Sequence, residues 1–263
     1  MVILITGVSS GFGLAMARQL VLDGHKVYGT VRRDVEPEPG VNYLRADVRN
    51  SGDADAAVAA VVAAEGRIDV LVNNAGMGIG GPVEFTSDED WQLQMDTNFG
   101  GQVRFARAVL PVMRSQGSGR IICFSSLGGR MGLPFQGFYA ASKFAVEGLA
   151  ESLQMELAGT GVKVILIEPG DFATGFTAAR RKTVSEEAAA AYPRLMHSIE
   201  SFESDEQGGL TPDVLARKIS RIIVSRHPRL RYPIASLVQK LSLPLKAILP
   251  GRAFNALLNS FYS

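Results

Sequence analysis

Tyr139 and Lys143 stand four apart in residues 138–157, a stretch whose apolar spacing predicts a helix. On a helix, positions i and i+4 lie one above the other on one face, so the spacing holds a lysine ammonium near a tyrosine phenol. A cation there favours the phenolate and draws the tyrosine pKa down from about 10 towards neutrality. A phenol tuned in this way can pass a proton to or from an alcohol oxygen. Ser126 could supply a second hydrogen bond to the same oxygen. The same pair also occurs in ordinary helices as a solvated face, with the lysine stem packed on the ring. Chemistry therefore needs support from the rest of the chain.

A glycine-rich turn gives that support. Residues 2–6 predict a short apolar strand, residues 11–23 a helix stopped by Gly24, and between them runs Thr6-Gly7-Val8-Ser9-Ser10-Gly11-Phe12-Gly13. Gly7 suits a tight turn, Gly11 a close backbone approach to a pyrophosphate, and Gly13 close helix–sheet packing. The helix N-terminus offers free N–H groups to phosphate. Dinucleotide folds that bind NAD place an acid after the second strand; here Arg32 and Arg33 stand there, and Asp34 comes late. Arginine suits the 2′-phosphate that an acid would repel, which predicts NADP.

Further strands are predicted over 26–31, 41–45, 68–72, 120–124, 162–167 and 229–235. Helices are predicted over 53–65, over 91–115 with an interruption at Gly100-Gly101, and from Thr211-Pro212-Asp213 onward. Strands alternating with helices imply parallel pairing through right-handed crossovers, a doubly wound α/β sheet in one domain spanning 1–263. The alternation stops over 171–209, where only residues 188–191 read as helix; an insertion of this kind is commonly a lid or loop. Its Arg180-Arg181-Lys182 run reads as a solvated charged face. The tail, 236–263, reads as short helices broken by Pro244 and Pro250. Its apolar positions with sparse basic residues fit a flap on the domain or a neighbouring subunit, and less well an interfacial membrane helix.

Of the 263 residues 46% are hydrophobic and 20% charged, enough apolar mass for a substantial core. A net charge of +1 gives no reason to expect nucleic acid. The one cysteine, Cys123, can form neither an internal disulfide nor, alone, a metal site, so no metal is expected. No basic leader precedes the first strand and no apolar run is long enough to span a bilayer, so a cytoplasmic protein is the expectation.

Together Thr6-Gly-Val-Ser-Ser-Gly-Phe-Gly13, Asn73-Asn-Ala-Gly76, Asn98, Ser126, Tyr139-x-x-x-Lys143 and Pro169-Gly170 with Thr174 resemble, in type and order, the short-chain dehydrogenases/reductases. The resemblance implies a Rossmann fold with a substrate-loop insertion at 171–209 and a helical C-terminal extension at 236–263. It implies that Tyr139 is the proton donor or acceptor and that Ser126 orients the substrate oxygen. Lys143 would lower the tyrosine pKa and hold the nicotinamide ribose, while Asn98 keeps a helix open around a water of the proton relay. Ser125 competes with Ser126, and the family's spacing to the tyrosine selects Ser126. Cofactor contacts are implied for Gly7, Ser9, Ser10, Gly11, Phe12, Gly13, Arg32, Arg33, Asp47, Val48, Asn74, Ala75, Gly76, Pro169, Gly170 and Thr174, besides Tyr139 and Lys143.

Gly132-Leu-Pro-Phe135 and Tyr139-Ala-Ala-Ser-Lys-Phe-Ala145 are similar to the branch containing estradiol 17β-dehydrogenase and the retinol dehydrogenases. Tyr192-x-x-Leu195-x-His197-Ser198-x-x-x-Phe202 resembles the substrate loop of that steroid enzyme. The expectation is an NADP-dependent oxidoreductase acting on the carbonyl/alcohol pair of a small apolar substrate. A homodimer or homotetramer paired through the helices flanking the fifth strand is expected as well. The rival reading is a catalytically idle NADP-binding regulatory protein on the same fold.

Overall fold

Val2–Thr6 (β1) is buried at every position, as a strand covered on both faces must be. In the computed structural model, which describes residues 1–262, this strand leads into α1 (Gly11–Leu22), β2 (Lys26–Val31), β3 (Val41–Arg45), α2 (Ser51–Glu65) and β4 (Val70–Asn73). Then come β5 (Ile79–Gly80), α3 (Asp88–Met95), a π-turn over Asp96–Gly100, α4 (Gly101–Gln116), β6 (Gly119–Phe124), α5 (Gly137–Glu156) and β7 (Val162–Pro169). The chain continues through α6 (Phe176–Ala179), β8 (Arg181–Lys182), α7 (Glu186–Ala191) and α8 (Leu195–Gln207). It ends with α9 (Pro212–Ile223), β9 (Arg231–Ile234), α10 (Leu237–Ile248) and α11 (Gly251–Phe261).

Seven strands pair in parallel in the order β3-β2-β1-β4-β6-β7-β9. The chain winds outward in both directions from β1, so a crevice opens between the carboxyl ends of β1 and β4, where such sheets take their ligands. α1 and α9 close one face with Met16, Leu20, Leu215 and Ile219; α2, α4 and α5 close the other with Val58, Phe105, Met113 and Val146. This is the doubly wound Rossmann-type sheet that the strand–helix alternation predicts. No helix among the described residues is long and apolar enough to cross a membrane.

Three expectations are corrected. Residues 171–209 hold far more structure than one short helix. α8 buries Leu195, Ser198, Ile199 and Phe202 at helical spacing, and β8 pairs with β5 as a separate two-stranded ribbon. Pro244 does not break the tail, because α10 runs through it; the donor it lacks is lost on an exposed helix, where water can serve the carbonyl one turn back. Arg180 is not part of a solvated face: its side chain is only 2% exposed.

Gly13 marks one of the closest approaches in the fold. A Cβ there would lie 1.9 Å from the Gly7 carbonyl oxygen, so the first turn of α1 presses directly on the turn leaving β1. Gly13→Ala must push the helix away, at an overpacking cost of about 1–3 kcal/mol. A thermal melt should show Tm falling by about 2–4 °C for each kcal/mol. An unchanged Tm would show that α1 can shift without cost.

Candidate active site

The crevice opens into a cavity of about 1280 Å³, beyond the ~300–1,000 Å³ that holds one small ligand. Every residue read from the sequence as catalytic or cofactor-binding lines it except Gly13 and Asn98, which lie behind its wall. At one end Ser9, Ser10, Gly11 and Phe12 face the cavity. Ser10 is extended and gives α1 no side-chain cap, so the helix presents its leading N–H groups without a side-chain acceptor. That arrangement fits a phosphate. Arg32 and Arg33 leave β2 exposed at the same rim, while Asp34 points to Arg45, 3.5 Å away. Asp47 also lines this end. The Arg49 side chain, at 2.6 Å, holds its carboxyl below the ordinary range, with Arg32 adding to the effect. Arg49 lies in the cavity wall too, a residue that no sequence motif marked.

Asn74 shapes the middle. Its Nδ2 donates to the carbonyls of Thr6 and Gly7, both at 2.9 Å, while the Asn74 and Ala75 N–H groups donate to Thr6 Oγ1 at 3.0 Å. These bonds tie the end of β4 to the glycine turn and hold Ala75 and Gly76 at the cavity surface.

The end of the cavity that holds Ser126, Tyr139 and Lys143 is built around the Phe124 carbonyl, where β6 ends. Lys143 Nζ donates to it at 3.0 Å and Gln102 Nε2 at 2.9 Å. Gln102 Nε2 also donates to the Asn98 carbonyl at 3.1 Å. Within the π-turn, Asn98 Oδ1 accepts from Met77 N (2.8 Å), and its Nδ2 donates to Met77 O (2.9 Å) and Ser142 Oγ (3.1 Å). The helix interruption therefore has a physical cause: Asn98 is bonded across to the strand side and to α5. Ser126 Oγ accepts from Gly128 N at 3.0 Å and faces the cavity. Ser125, its competitor, is buried with its Oγ turned towards the Ser126 and Lys143 carbonyls. Just upstream of α5, Phe135 adopts φ 55°, a strained conformation for an aromatic residue. Trp91 stacks on Phe138 at 5.9 Å beside Tyr139.

Lys143 Nζ lies 5.6 Å from the Tyr139 ring centroid. The expected fall in the tyrosine pKa does not occur in the chain by itself. Burial pushes the phenol up to about 12, with Ser126 opposing and the Glu206 and Asp171 carboxylates reinforcing the rise. Burial also lowers Lys143 to about 8. Desolvation outweighs the attraction of the pair, because both groups lose water and the ammonium spends its hydrogen bond on a backbone carbonyl.

Residues 171–209 and the tail cover the cavity. Pro169, Gly170 and Thr174 line it where β7 ends, followed by Phe172, Phe176 and Phe202. A Cβ on Gly170 would lie 2.4 Å from Gln239 Oε1 and 2.6 Å from Ala235 Cβ, so α10 seats directly on this glycine. Asp171, Asp205, Glu206 and Gln239 also line the cavity, and sequence reasoning missed all four. Gln239 Nε2 donates to Asp171 Oδ2, and burial raises Asp171 to about 6. Arg180 donates to Glu206 and lies between the Phe176 and Phe202 rings, at 5.4 and 4.7 Å. His197 is exposed and outside the cavity. Cys123 is buried, its thiol pushed up to about 12 by desolvation. Among the described residues no three His, Cys, Asp or Glu side chains gather to hold a metal.

Residues 1–185 match the family described as short chain dehydrogenase. Across the whole chain, 44% of positions are identical to a 3-ketodihydrosphingosine reductase of Bacteroides thetaiotaomicron, covering 98% of that protein. Human 17-beta-hydroxysteroid dehydrogenase type 1 is 44% identical over 66% of this chain and 58% of its own length. A short-chain dehydrogenase structure from Streptomyces avermitilis superposes with a TM-score of 0.81 at 31% identity, covering 99% of this chain and 96% of that one.

With its folded pKa near 12 the phenol is protonated through the neutral range, which suits a proton donor. Carbonyl reduction should hold through neutral pH and fall on the alkaline side, while alcohol oxidation should rise there. Tyr139→Phe should lower turnover by ~10²–10⁴ with cofactor affinity little changed. Steady-state rates and a binding titration check both. Near wild-type turnover in the Phe variant would remove Tyr139 from the chemistry.

Proposed function

The chain belongs to the short-chain dehydrogenase family, and on that basis we propose that it is an NADP-dependent oxidoreductase interconverting a ketone or aldehyde and its alcohol on an apolar substrate. One observation carries the reading. Ser126, Tyr139 and Lys143 share a cavity with an uncapped helix N-terminus and two arginines at one end, and with Leu241, Leu245, Phe254, Leu257 and Leu258 of the tail.

NADPH, when bound, would supply the hydride that reaches the carbonyl carbon. Tyr139 gives its phenolic proton to the carbonyl oxygen, and Ser126 Oγ donates a second hydrogen bond to the same atom. Lys143 stabilises the resulting phenolate and holds the ribose, while Arg32 and Arg33 hold the 2′-phosphate. Phe176, Phe202 and the tail leucines keep water from the reacting atoms. Residues 171–209 act as the substrate loop of this reading and 236–263 as a helical cover.

The likeness to a 3-ketodihydrosphingosine reductase makes a long-chain ketone bearing an amine the first substrate to test. Electrostatics favours the same choice. Asp171, Asp205 and Glu206 line the cavity, and although Arg180 pairs with Glu206, three carboxylates in one wall suit a cationic group better than an anionic one. The idle-regulator alternative has a physical argument against it. Desolvating the Tyr139 phenol costs stability, and a protein that only binds nucleotide, for which Lys143 would suffice to hold the ribose, has no use for that hydroxyl.

Loss of NADPH absorbance with a panel of ketones tests the reading, and long-chain amino ketones should outperform β-keto acids. NADPH should bind much more tightly than NADH, and Arg32→Ala should erase most of the gap, with about 1.5–3 kcal/mol at stake. Equal affinity for both cofactors in the unmutated chain would sink the NADP assignment. A homodimer or homotetramer through α4 and α5 belongs to the same proposal, supported by the exposed Met155 on α5. Light scattering that finds only monomer at micromolar concentration would contradict it.

A further inference from the structure

α10 is amphipathic the wrong way round for a helix covering a domain. Gln239 bonds to Asp171, Ser242 faces the cavity, and Lys246 donates to the Arg130 carbonyl and lies over the Phe144 ring. Its polar side thus faces the protein. Leu237, Val238, Leu241, Leu245 and Ile248 fall within an adjoining arc of about 100°, which turns from the cavity mouth, where Val238, Leu241 and Leu245 stand, towards solvent at Leu237 and Ile248. All five are exposed, Leu237, Val238 and Ile248 by 76%, 74% and 78%, and α10 has no buried residue. On α11, Leu257 and Phe261 are exposed one turn apart.

Two observations identify what covers this face. The first is charge. All 26 acidic residues precede Val214; the fifty residues from there onward hold nine Lys or Arg and no Asp or Glu. Lys240 of α10 lies close enough to Lys218 of α9 to help depress its pKa. A second copy meeting this face through a two-fold axis would bring the same basic segment against itself, whereas an anionic surface complements it. The second is continuity. Val238, Leu241, Leu245, Leu257 and Phe261 are both exposed and part of the cavity lining, so the outer apolar face is continuous with the cavity mouth.

We infer that α10 and α11 seat the protein on an anionic lipid surface. The exposed stripe enters the acyl boundary, nearby basic residues face the headgroups, and an apolar ketone passes from lipid into the cavity between the two helices. The docking rests on the tail's geometry; the route for substrate rests on the function proposed above.

Co-flotation of the full chain with vesicles tests it. Vesicles of equal parts phosphatidylcholine and phosphatidylglycerol should carry the protein, phosphatidylcholine alone should carry less, and high salt should weaken the binding. Leu237→Asp with Ile248→Asp, two positions outside the cavity lining, should lower partition at least about tenfold. The same variant should keep its melting temperature and its turnover of a water-soluble ketone; the milder pair L237S and I248S serves if the aspartates disturb folding. Absence of flotation on anionic vesicles, or equal flotation of wild type and variant, overturns the inference. So does an assembly, seen by light scattering, that the double variant dissolves, for then a second copy covers the face. Flotation that follows the expected pattern in a chain reducing no ketone would leave the docking standing and remove the catalytic reading.

Discussion

The Phe124 carbonyl, at the end of β6, has two buried donors at once: the Lys143 ammonium and the Gln102 amide. Much of the Ser126–Tyr139–Lys143 end of the cavity depends on that oxygen. It fixes where the ammonium stands, and through Gln102 it anchors the Asn98 carbonyl of the π-turn. Asn98 in turn holds Met77 and Ser142, so a strand end, a broken helix and α5 are bonded into one polar network. Such a network inside an apolar wall is stabilising only when it is well satisfied. A single substitution at Gln102 would therefore disturb three elements together.

The parts of the fold visible in the sequence are those set by short-range chemistry. β1, β2 and β3 fall on the residues predicted: β1 and β2 are covered on both faces and read as largely apolar runs, while the half-exposed edge strand β3 carries Val41 and Tyr43 on alternate positions. The glycine turn and the Tyr139/Lys143 spacing are legible for the same reason, each being a local geometric requirement. Arg180 was not legible. Its burial depends on Glu206, twenty-six residues on, and on two aromatic rings, so the charged run around it looks solvated in one dimension. The carboxylates of Asp171, Asp205 and Glu206 were missed likewise, since only the folding of α8 and α10 brings them to the cavity.

The tyrosine's ionisation shows where local reasoning about a site stops. Spacing places the ammonium near the phenol, as expected, but spacing carries no information about water. With Lys143 buried and Tyr139 half-buried in the cavity wall, desolvation moves each towards its neutral form, and a backbone carbonyl occupies the ammonium. Net charge has a similar blind spot. A total of +1 gives no hint that the acidic residues end at Asp213, and the distribution rather than the sum describes the surface.

The stack of Trp91 on Phe138 has a practical consequence. Trp91 is the only tryptophan in the chain, so its ultraviolet emission comes from one place. Trp91 sits on α3 and stacks on Phe138, which lies in the first turn of α5 and precedes Tyr139. Quenching or a spectral shift on adding nucleotide or ketone would therefore report on the surroundings of Tyr139, with no dye and no engineered label.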